Sequence, residues 1–383
     1  MKHTKACLSL LLLISLSFPV LSQNKEIIGY YPSWKWRTQK NFPMPAQLPF
    51  DKLTMIDYAF FYPLPDGTVM GRDSAGDAMI LKGDPSLTSA AHQHGVKVLV
   101  SIGGWEDSNN FPAVASGDAS RSRFAHSCLD RIKEFGFDGI DIDWEFPGYA
   151  EHSGTPQDRS NYTRLLRAVR DTLSAREAQL GRKLLLTAAL PAGPDLAQNF
   201  EVPQIAQILD HLNVMTYDFS GDWDSLSGHN APLFAPRPDD TTRNVDAAFR
   251  LYAGTYQVPA AKINLGVPFY GHSYSHCTSL YAPHAGSDTL HFPHGGAFYY
   301  NIVDHLPELT RYWDERAKVP YVVSRSWNTL VSYDDEQSVG FKAQYVLDNN
   351  AGGLIIWEIT GDYGEDGKTP LLDVIASRFA GKR

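Results

Sequence analysis

Eight short runs of β-forming residues recur along this 383-residue chain, and each run is almost continuously apolar. Parallel strands that are covered on both faces have this character, whereas a strand with one face in water alternates polar and apolar residues. The runs cover residues 26–31, 53–60, 96–104, 137–144, 184–191, 211–218, 263–270 and 353–360. The pattern therefore predicts an α/β protein built on a parallel sheet.

Amphipathic helical patterns lie between these runs. One repeats apolar residues at helical spacing over 162–173 with arginines off that face, and another covers 124–135 and ends at Gly136. With 43% hydrophobic and 20% charged residues, the chain has the composition of a globular protein with a large core. Eight strand–helix units predict a (β/α)8 TIM barrel, whose chemistry lies at the C-terminal ends of the strands.

The connection after the seventh run is too long for a structureless loop. It carries aromatic, histidine and proline residues over 272–334, and a helical pattern follows at about 335–350. We interpret residues 272–334 as a small α+β insertion that rises from the catalytic face and walls one side of a cleft. Residues 23–271 and 335–383 would then form the barrel.

The first 22 residues are typical of a secretory signal peptide. Lys2 and Lys5 precede a short apolar run, and Val20 and Ser22 suit cleavage before Gln23. The apolar run is too short for a comfortable membrane span. We therefore expect a secreted or periplasmic protein with no stable membrane association.

The charge argues against a nucleic-acid-binding protein, and the cysteine content argues against a disulfide-rich scaffold. Loss of Lys2 and Lys5 with the signal peptide would change the formal net charge from -9 to -11, which is unsuited to binding nucleic acid. Cys7 would leave with the same segment, so at most one disulfide, Cys128 to Cys277, can form. Because Cys128 lies on an apolar helix face, a buried free thiol is the favoured interpretation.

The fourth run continues into DGIDIDWEFP, residues 138–147, which places four carboxylates among residues typical of a protein interior. Side chains alternate along a strand, so Asp141, Asp143 and Glu145 share one face, which we expect to point at the barrel axis. Glu145 comes last, at the C-terminal end, where a substrate would lie. Asp138 has the opposite parity and lies near the strand start, where we assign it a supporting role.

Buried neighbouring carboxylates cannot all ionise cheaply. We expect Asp141 and Asp143 to share a proton, and Glu145 to be held protonated as a general acid. A calcium loop would need Gly and polar turn residues where this stretch has Ile and Trp, and a structural ion network would need Arg or Lys partners. The sequence therefore favours a catalytic strand, with no metal and no cofactor.

Several motifs resemble those of the family-18 glycoside hydrolases, the chitinase family. In chain order they are SIGGW at 101–105, which includes Ser101, Gly103 and Gly104; D-x-x-D-x-D-x-E at 138–145; MTYD at 215–218; and Trp357 on the eighth run. The resemblance extends over the mature chain, and four motifs in the right order are more specific than any one of them.

The resemblance implies a mechanism in which the substrate supplies the nucleophile. The seventh run contains no acid, and the acetamido oxygen of an N-acetyl sugar can attack the anomeric carbon instead. Glu145 would protonate the leaving oxygen and later activate water, Asp143 would stabilise the oxazolinium ion, and Asp141 would hold the proton behind Asp143. Tyr217 would bind the acetamido oxygen, while Asp218 is the alternative nucleophile.

Aromatic side chains at strand ends are candidates for stacking on sugars. The predicted substrate-binding residues are Trp357, Trp105, Met215, Asp218, Tyr30 and Tyr270, with Trp223 as a further candidate. The resemblance also implies that Tyr30 and Ser101 support the acidic strand. His272 and His276 have a metal-like spacing but no evident third ligand, so we expect hydrogen-bonded histidines rather than a zinc site.

Three functions remain open at this point. The first is a secreted chitinase that cleaves β-1,4 bonds between N-acetylglucosamine units with retention. The second is a same-family endo-β-N-acetylglucosaminidase or peptidoglycan-related glycan hydrolase, and the third is a non-hydrolytic chitin-binding lectin. The presence of Glu145 argues against the lectin, while Trp105 and the insertion favour the chitinase. We expect a monomer that binds chitin or N-acetylglucosamine oligosaccharides.

Overall fold

Eight parallel strands close into a barrel in the computed structural model, which describes residues 25–293 and 296–381. The strands are β1 (Glu26–Pro32), β2 (Met55–Pro63), β3 (Lys97–Gly103), β4 (Gly139–Asp143), β5 (Leu185–Pro191), β6 (His211–Met215), β7 (Ile263–Pro268) and β8 (Gly353–Trp357). Each pairs with the next in parallel, and β8 pairs with β1. The predicted TIM barrel is confirmed, while the signal peptide lies outside the described residues.

Helices surround the barrel. They are α1 (Ser74–Leu81), α2 (Leu87–Gln93), α3 (Phe111–Ser116), α4 (Asp118–Phe135), α5 (Asp158–Leu180), α6 (Pro194–Ala197), α7 (Val202–Ile208), α8 (Val245–Arg250), α9 (Tyr299–Asp304), α10 (Glu336–Asp348) and α11 (Pro370–Ala380). Helix α4 ends at Gly136, whose φ of 77° is left-handed, a conformation that glycine adopts readily. A short strand, Val69–Gly71, pairs antiparallel with β2.

A second sheet follows β7 directly. Its antiparallel strands are, in spatial order, Ala297–Phe298, Tyr270–Ser275, Thr329–Ser332, Val319–Ser324 and Thr310–Asp314. Together with α9, this sheet makes the α+β insertion, and its first strand starts two residues before the interval 272–334 that we predicted. Because β7 ends at the C-terminal face of the barrel, the insertion rises from that face.

The parity of β4 agrees with the sequence pattern. Ile140, Ile142 and Trp144 point outward into the apolar layer between barrel and helices. Trp144 stacks on Phe111 with ring centroids 5.2 Å apart and contacts Tyr162 at 5.7 Å. The acidic residues between them consequently face the barrel axis.

The described part of the chain shows the state of two cysteines and the character of the helices. Cys128 and Cys277 are both buried and free, so the conceivable disulfide is absent from the described residues. None of the helices in the described ranges is both long enough and apolar enough to cross a bilayer.

Truncation of a buried residue on α5 tests the helix–barrel core. Leu166 is fully buried, so Leu166→Ala should lower the free energy of unfolding by about 2–5 kcal/mol, through lost transfer energy and a residual cavity. Arg167, the next residue, is exposed, and Arg167→Ala should change the free energy of unfolding by no more than about 0.5 kcal/mol. Urea unfolding of both variants measures the difference, and equal losses would contradict the assigned helix face.

Candidate active site

The carboxylate of Asp141 lies in the barrel interior and accepts four hydrogen bonds from neutral groups. The donors come from four other strands: Tyr30 Oη at 2.9 Å, Ser101 Oγ at 2.7 Å, Thr187 Oγ1 at 2.6 Å and Asn213 Nδ2 at 3.3 Å. Register places Ser101 and Thr187 directly beside Asp141 on β3 and β5. Burial raises the pKa of Asp141, while these four bonds oppose the shift by stabilising its charge.

Asp143, two residues further along β4, has a different environment. Its Oδ1 is buried without a hydrogen-bond partner among the described residues. Burial raises the pKa of Asp143 well above its ordinary value, and any ionisation of Glu145, Asp141 or Asp57 raises it further. Asp143 therefore carries the proton of the pair, and Asp141 carries the charge.

Asp57 is a fourth interior carboxyl, which the sequence analysis missed. It lies on β2, in register with Tyr30 on β1, and is fully buried. Neither of its oxygens has a hydrogen-bond partner in the part of the chain that the structure describes. Burial, followed by the charge of Asp141, raises the pKa of Asp57 well above its ordinary value, so this residue is neutral. Its isolated position within the apolar run 53–60 was the available signal.

Glu145 follows the end of β4 and is half-buried at the C-terminal face. Its backbone is held on both sides: the N–H donates to Ser108 Oγ at 2.8 Å, and the carbonyl lies 2.5 Å from His152 Nδ1. Burial, with the negative charge of Asp218 as a second cause, raises the pKa of Glu145 to about 8. Its carboxyl is thus protonated at neutral pH, and Ser108 and His152 are further residues that the sequence analysis missed.

Two glycines allow the chain to turn tightly beside β4. Gly103 and Gly104 have φ values of 118° and 86°, which side-chain-bearing residues rarely adopt. A Cβ atom on Gly103 would lie 2.1 Å from the carbonyl oxygen of Asp143, and one on Gly104 would lie 2.6 Å from the ring of Phe60. The predicted supporting role of both glycines therefore has a steric basis.

Asp218 lies just beyond β6, where its exposed carboxylate is bound by groups on the first insertion strand. Tyr270 Oη donates to Asp218 Oδ1 at 2.5 Å, and His272 Nε2 lies 2.7 Å from the same oxygen. Asp218 has a φ of 57°, and its N–H donates to Asn230 Oδ1 at 2.8 Å. Barrel and insertion therefore meet at this carboxylate.

Tyr217 and Met215 lie beside this group. Tyr217 belongs to a small apolar cluster with Tyr270, and Met215 and Trp357 pack against that cluster. Burial raises the pKa of Tyr217 well above its ordinary value, and any ionisation of the nearby carboxyl groups of Asp143, Asp218 and Glu145 raises it further. The phenol is therefore a neutral hydrogen-bond donor.

An aromatic floor lies at the carboxyl ends of β8, β2 and β1. Trp357 stacks on Phe60 with centroids 5.6 Å apart and an interplanar angle of 18°, and Phe60 stacks on Trp34 at 5.9 Å and 22°. The sequence analysis predicted Trp357 but missed Trp34, which follows β1, and Phe60, which lies within β2 at the end of the predicted run 53–60.

Two exposed tryptophans contact histidines that bind the acidic residues. Trp105, 47% exposed, packs on His152 with centroids 4.5 Å apart, and His152 binds the backbone of Glu145. Trp223, 61% exposed, contacts the ring of His272 at 5.1 Å. A single histidine therefore separates Trp105 from Glu145 and Trp223 from Asp218, and both indoles have ring surface exposed to solvent.

Tyr30 and Asp138 lie at the positions from which the sequence analysis expected them to play supporting roles, whereas the other expectation for Tyr30, that it binds substrate, does not fit its burial. Tyr30, predicted to bind substrate, is only 1% exposed and donates to Asp141, so it supports the acidic strand from below. Asp138 lies at the opposite end of β4, about 10 Å along the strand from Asp141. There it accepts from the Val98 N–H at 2.8 Å and pairs with Arg182, so it fixes the base of the barrel.

The histidines of the insertion are engaged individually. His272 binds Asp218, and His291 lies 2.7 Å from Asp288 Oδ2 and stacks on Trp327. Within the described ranges, His, Cys, Asp and Glu form no group of three placed to hold a metal ion.

The arrangement can perform acid–base chemistry on a stacked ligand. A protonated Glu145 stands at the cleft surface, a neutral Asp143 lies directly behind it, and a neutral phenol of Tyr217 lies beside them. The aromatic floor provides apolar faces of the kind that bind the faces of sugar rings. Positioned donors and an acid with a pKa near neutrality are what glycosidic bond cleavage requires.

Comparisons with known proteins agree with this chemistry. Chitinase A1 of Niallia circulans is 35% identical over 94% of this chain and 61% of its own length, so this chain spans less than two thirds of that relative. Chitinase 1 of Aphanocladium album is 34% identical, over 83% of this chain and 78% of its own length.

Solved structures give the same result. The Group IV chitinase of Ostrinia furnacalis superposes with a TM-score of 0.84 at 29% identity, covering 93% of this chain and 100% of that chain. Residues 26–362 match the glycosyl hydrolases family 18. This chain therefore belongs to the glycosyl hydrolases of family 18.

Proposed function

We propose that this protein is a chitinase that hydrolyses β-1,4 bonds between N-acetylglucosamine units with retention of configuration. The observation that carries the proposal is the position of Glu145 just beyond the C-terminal end of β4, on the same strand face as the buried Asp141 and Asp143. Burial there raises the pKa of Glu145 to about 8, which favours the protonated acid. The similarity to chitinases and the aromatic floor beside Glu145 support chitin oligosaccharides as substrates. Glycans of glycoproteins or of peptidoglycan are the alternative substrates.

In this mechanism Glu145 acts twice. It first donates its proton to the glycosidic oxygen as the bond to the anomeric carbon breaks. The resulting carboxylate then removes a proton from the water that attacks the same carbon. The elevated pKa suits both steps, because the group holds its proton at neutral pH and its conjugate base is stronger than that of an ordinary glutamate.

The nucleophile comes from the substrate. β7 contains no carboxyl group that could attack from the far side of the sugar. The acetamido oxygen of the N-acetylglucosamine unit attacks the anomeric carbon and forms an oxazolinium ion, which water opens on the opposite face. Two inversions give net retention. Tyr217 donates a hydrogen bond that holds the acetamido group for attack.

Asp143 and Asp141 handle the charge that develops on the acetamido nitrogen. Asp143 holds the proton at rest, and Asp141 is the fixed anion with four neutral donors. As the nitrogen becomes positive, Asp143 turns its carboxyl toward the N–H and accepts a hydrogen bond from it, while its own proton passes to Asp141. The pair of Asp143 and Asp141 thereby places negative charge beside the acetamido nitrogen, where positive charge develops in the transition state.

The protein acts outside the cytoplasm in this proposal. The signal-like residues 1–22 support export, because a basic start, an apolar run and small residues stand in the order of a secretory signal. The basic residues are scattered along a net acidic chain, which fits an uncharged polysaccharide substrate rather than a polyanion.

Removal of the acid tests the assignment of Glu145. Glu145→Gln should lower kcat at least about a thousandfold, because the amide cannot donate the proton, while an N-acetylglucosamine hexamer still binds. Glu151→Gln, six residues on at an exposed position, should keep its activity. Turnover of the hexamer and calorimetric binding measure both variants, and near-normal hydrolysis by Glu145→Gln would disprove the assignment.

The anomer of the first product tests substrate assistance. A proton NMR time course with the hexamer should show the β-anomer first, followed by mutarotation, because oxazolinium opening restores the original configuration. The corresponding glucose oligomer, with hydroxyl in place of acetamido, should not be cleaved. Early α-anomer, or equal cleavage of the glucose oligomer, would exclude this mechanism.

Neutralisation of Asp218 should change the pH dependence. The negative charge of Asp218 raises the pKa of Glu145, and Glu145 must be protonated to act, so kcat/KM should fall above about pH 8. Asp218→Asn lowers the pKa of Glu145 and should move this alkaline limb about one unit toward acid pH. Asp239→Asn, an exposed control, should leave it in place. An unmoved limb in Asp218→Asn would refute the coupling.

A further inference from the structure

Asn230 is a fully buried residue in the connection between β6 and β7. Its side chain joins two elements. Oδ1 accepts a hydrogen bond from the N–H of Asp218 at 2.8 Å, and Nδ2 donates to the carbonyl oxygen of Tyr270 at 3.1 Å. Asp218 follows the end of β6, and Tyr270 begins the insertion, so one amide holds the barrel and the insertion together.

The backbone of Asn230 is also held. Its N–H donates to Ser332 Oγ at 2.9 Å, and its carbonyl accepts from the N–H of Phe219 at 2.9 Å. Ser332, the last residue of the insertion strand Thr329–Ser332, lies 3.4 Å from His229 Nδ1. The other ring nitrogen of His229 lies 3.1 Å from Asp314 Oδ2. The amide is therefore anchored by a buried network that extends to the outermost insertion strand.

Asp218 needs such an anchor. Its φ of 57° is uncommon for a residue with a side chain, and the bond from its N–H to Asn230 stabilises that backbone. The partners of its carboxylate, Tyr270 and His272, both lie on the strand whose carbonyl Asn230 binds. Asn230 therefore fixes the backbone of Asp218 and, separately, the strand that orients its carboxylate.

We propose that Asn230 is a positioning residue for the catalytic acid, because it fixes the carboxylate of Asp218 in the place from which its charge acts on Glu145. This inference rests on the proposed function, in which protonated Glu145 cleaves the glycosidic bond. Without the amide, the N–H of Asp218 and the carbonyl of Tyr270 lose their partners, and Asp218 is free to leave the left-handed conformation.

Other ionisable groups also surround Glu145 and Asp218. They are Asp143 on β4, His152 in the loop after β4, Tyr217 after β6, and Tyr270 and His272 on the insertion strand, with His229 and Asp314 behind Asn230. None of these side chains is changed in the Asn230 variants, so a shifted titration of Glu145 reports the placement of Asp218.

The titration of Glu145 can be observed directly. Protein labelled with ¹³C at the glutamate δ-carboxyl is titrated by NMR, and Glu145→Gln assigns the resonance by its disappearance. In the unaltered protein the midpoint should lie near pH 8. In Asn230→Ala it should fall by about half to one unit, because the charge of Asp218 no longer acts at close range. The alkaline limb of kcat/KM with the hexamer should shift equally.

Asn244→Ala is the matched control. Asn244 is also buried in the connection between β6 and β7, but it caps α8 by accepting from the N–H of Ala247 at 2.8 Å. Its loss should lower the Tm, as loss of a helix cap does, and leave the midpoint of Glu145 unchanged. A structural role alone would make Asn230→Ala behave in the same way.

The possible outcomes distinguish the positioning role of Asn230 from the proposed hydrolysis of chitin oligosaccharides. A lowered Tm with an unshifted Glu145 midpoint in Asn230→Ala overturns the positioning role. If Asn230→Ala does not fold, Asn230→Ser is titrated instead; it should shift less, and no shift again overturns the inference. If the unaltered protein does not cleave the hexamer, the proposed function fails, while the NMR titration still decides whether Asn230 acts on Glu145.

Discussion

A single buried anion, the carboxylate of Asp141, is the interaction on which the site depends. Four neutral donors from β1, β3, β5 and β6 surround it, and none of its hydrogen-bond donors is a cation. An uncompensated charge in a protein interior is costly, and only a closed barrel brings donors from so many strands to one point. The barrel thus keeps one negative charge in its axis without neutralising it.

Burial and the charge of Asp141 favour the protonated forms of the neighbouring carboxyl groups of Asp57 and Asp143. Among the described residues, no donor reaches either oxygen of Asp57 or the buried Oδ1 of Asp143, so both groups stay neutral beside Asp141. Glu145 lies further out, where burial and the charge of Asp218 still favour its protonated form. Strand parity puts Asp141, Asp143 and Glu145 in one line along β4, and the line ends at the C-terminal face of the barrel with the proton that the proposed reaction needs.

The sequence was sufficient to predict the eight strands because each apolar run is complete in itself and needs no partner to be identified. It also predicted Glu145, Asp143 and Asp141, because side-chain alternation is a local property. Asp57, Phe60 and Asn230 were missed because their roles arise from register and from contacts between distant segments. The additional expectation that Tyr30 binds substrate failed for the same reason, since burial at a strand end depends on what covers it.

The insertion contributes residues to the candidate active site. Tyr270 and His272 on its first strand bind the carboxylate of Asp218, and Ser332 on a later strand holds the backbone of Asn230. The charge that acts on Glu145 is therefore oriented partly by residues outside the barrel. A change in the packing of the insertion on the barrel would alter the acidity of Glu145 even if every barrel residue stayed in place.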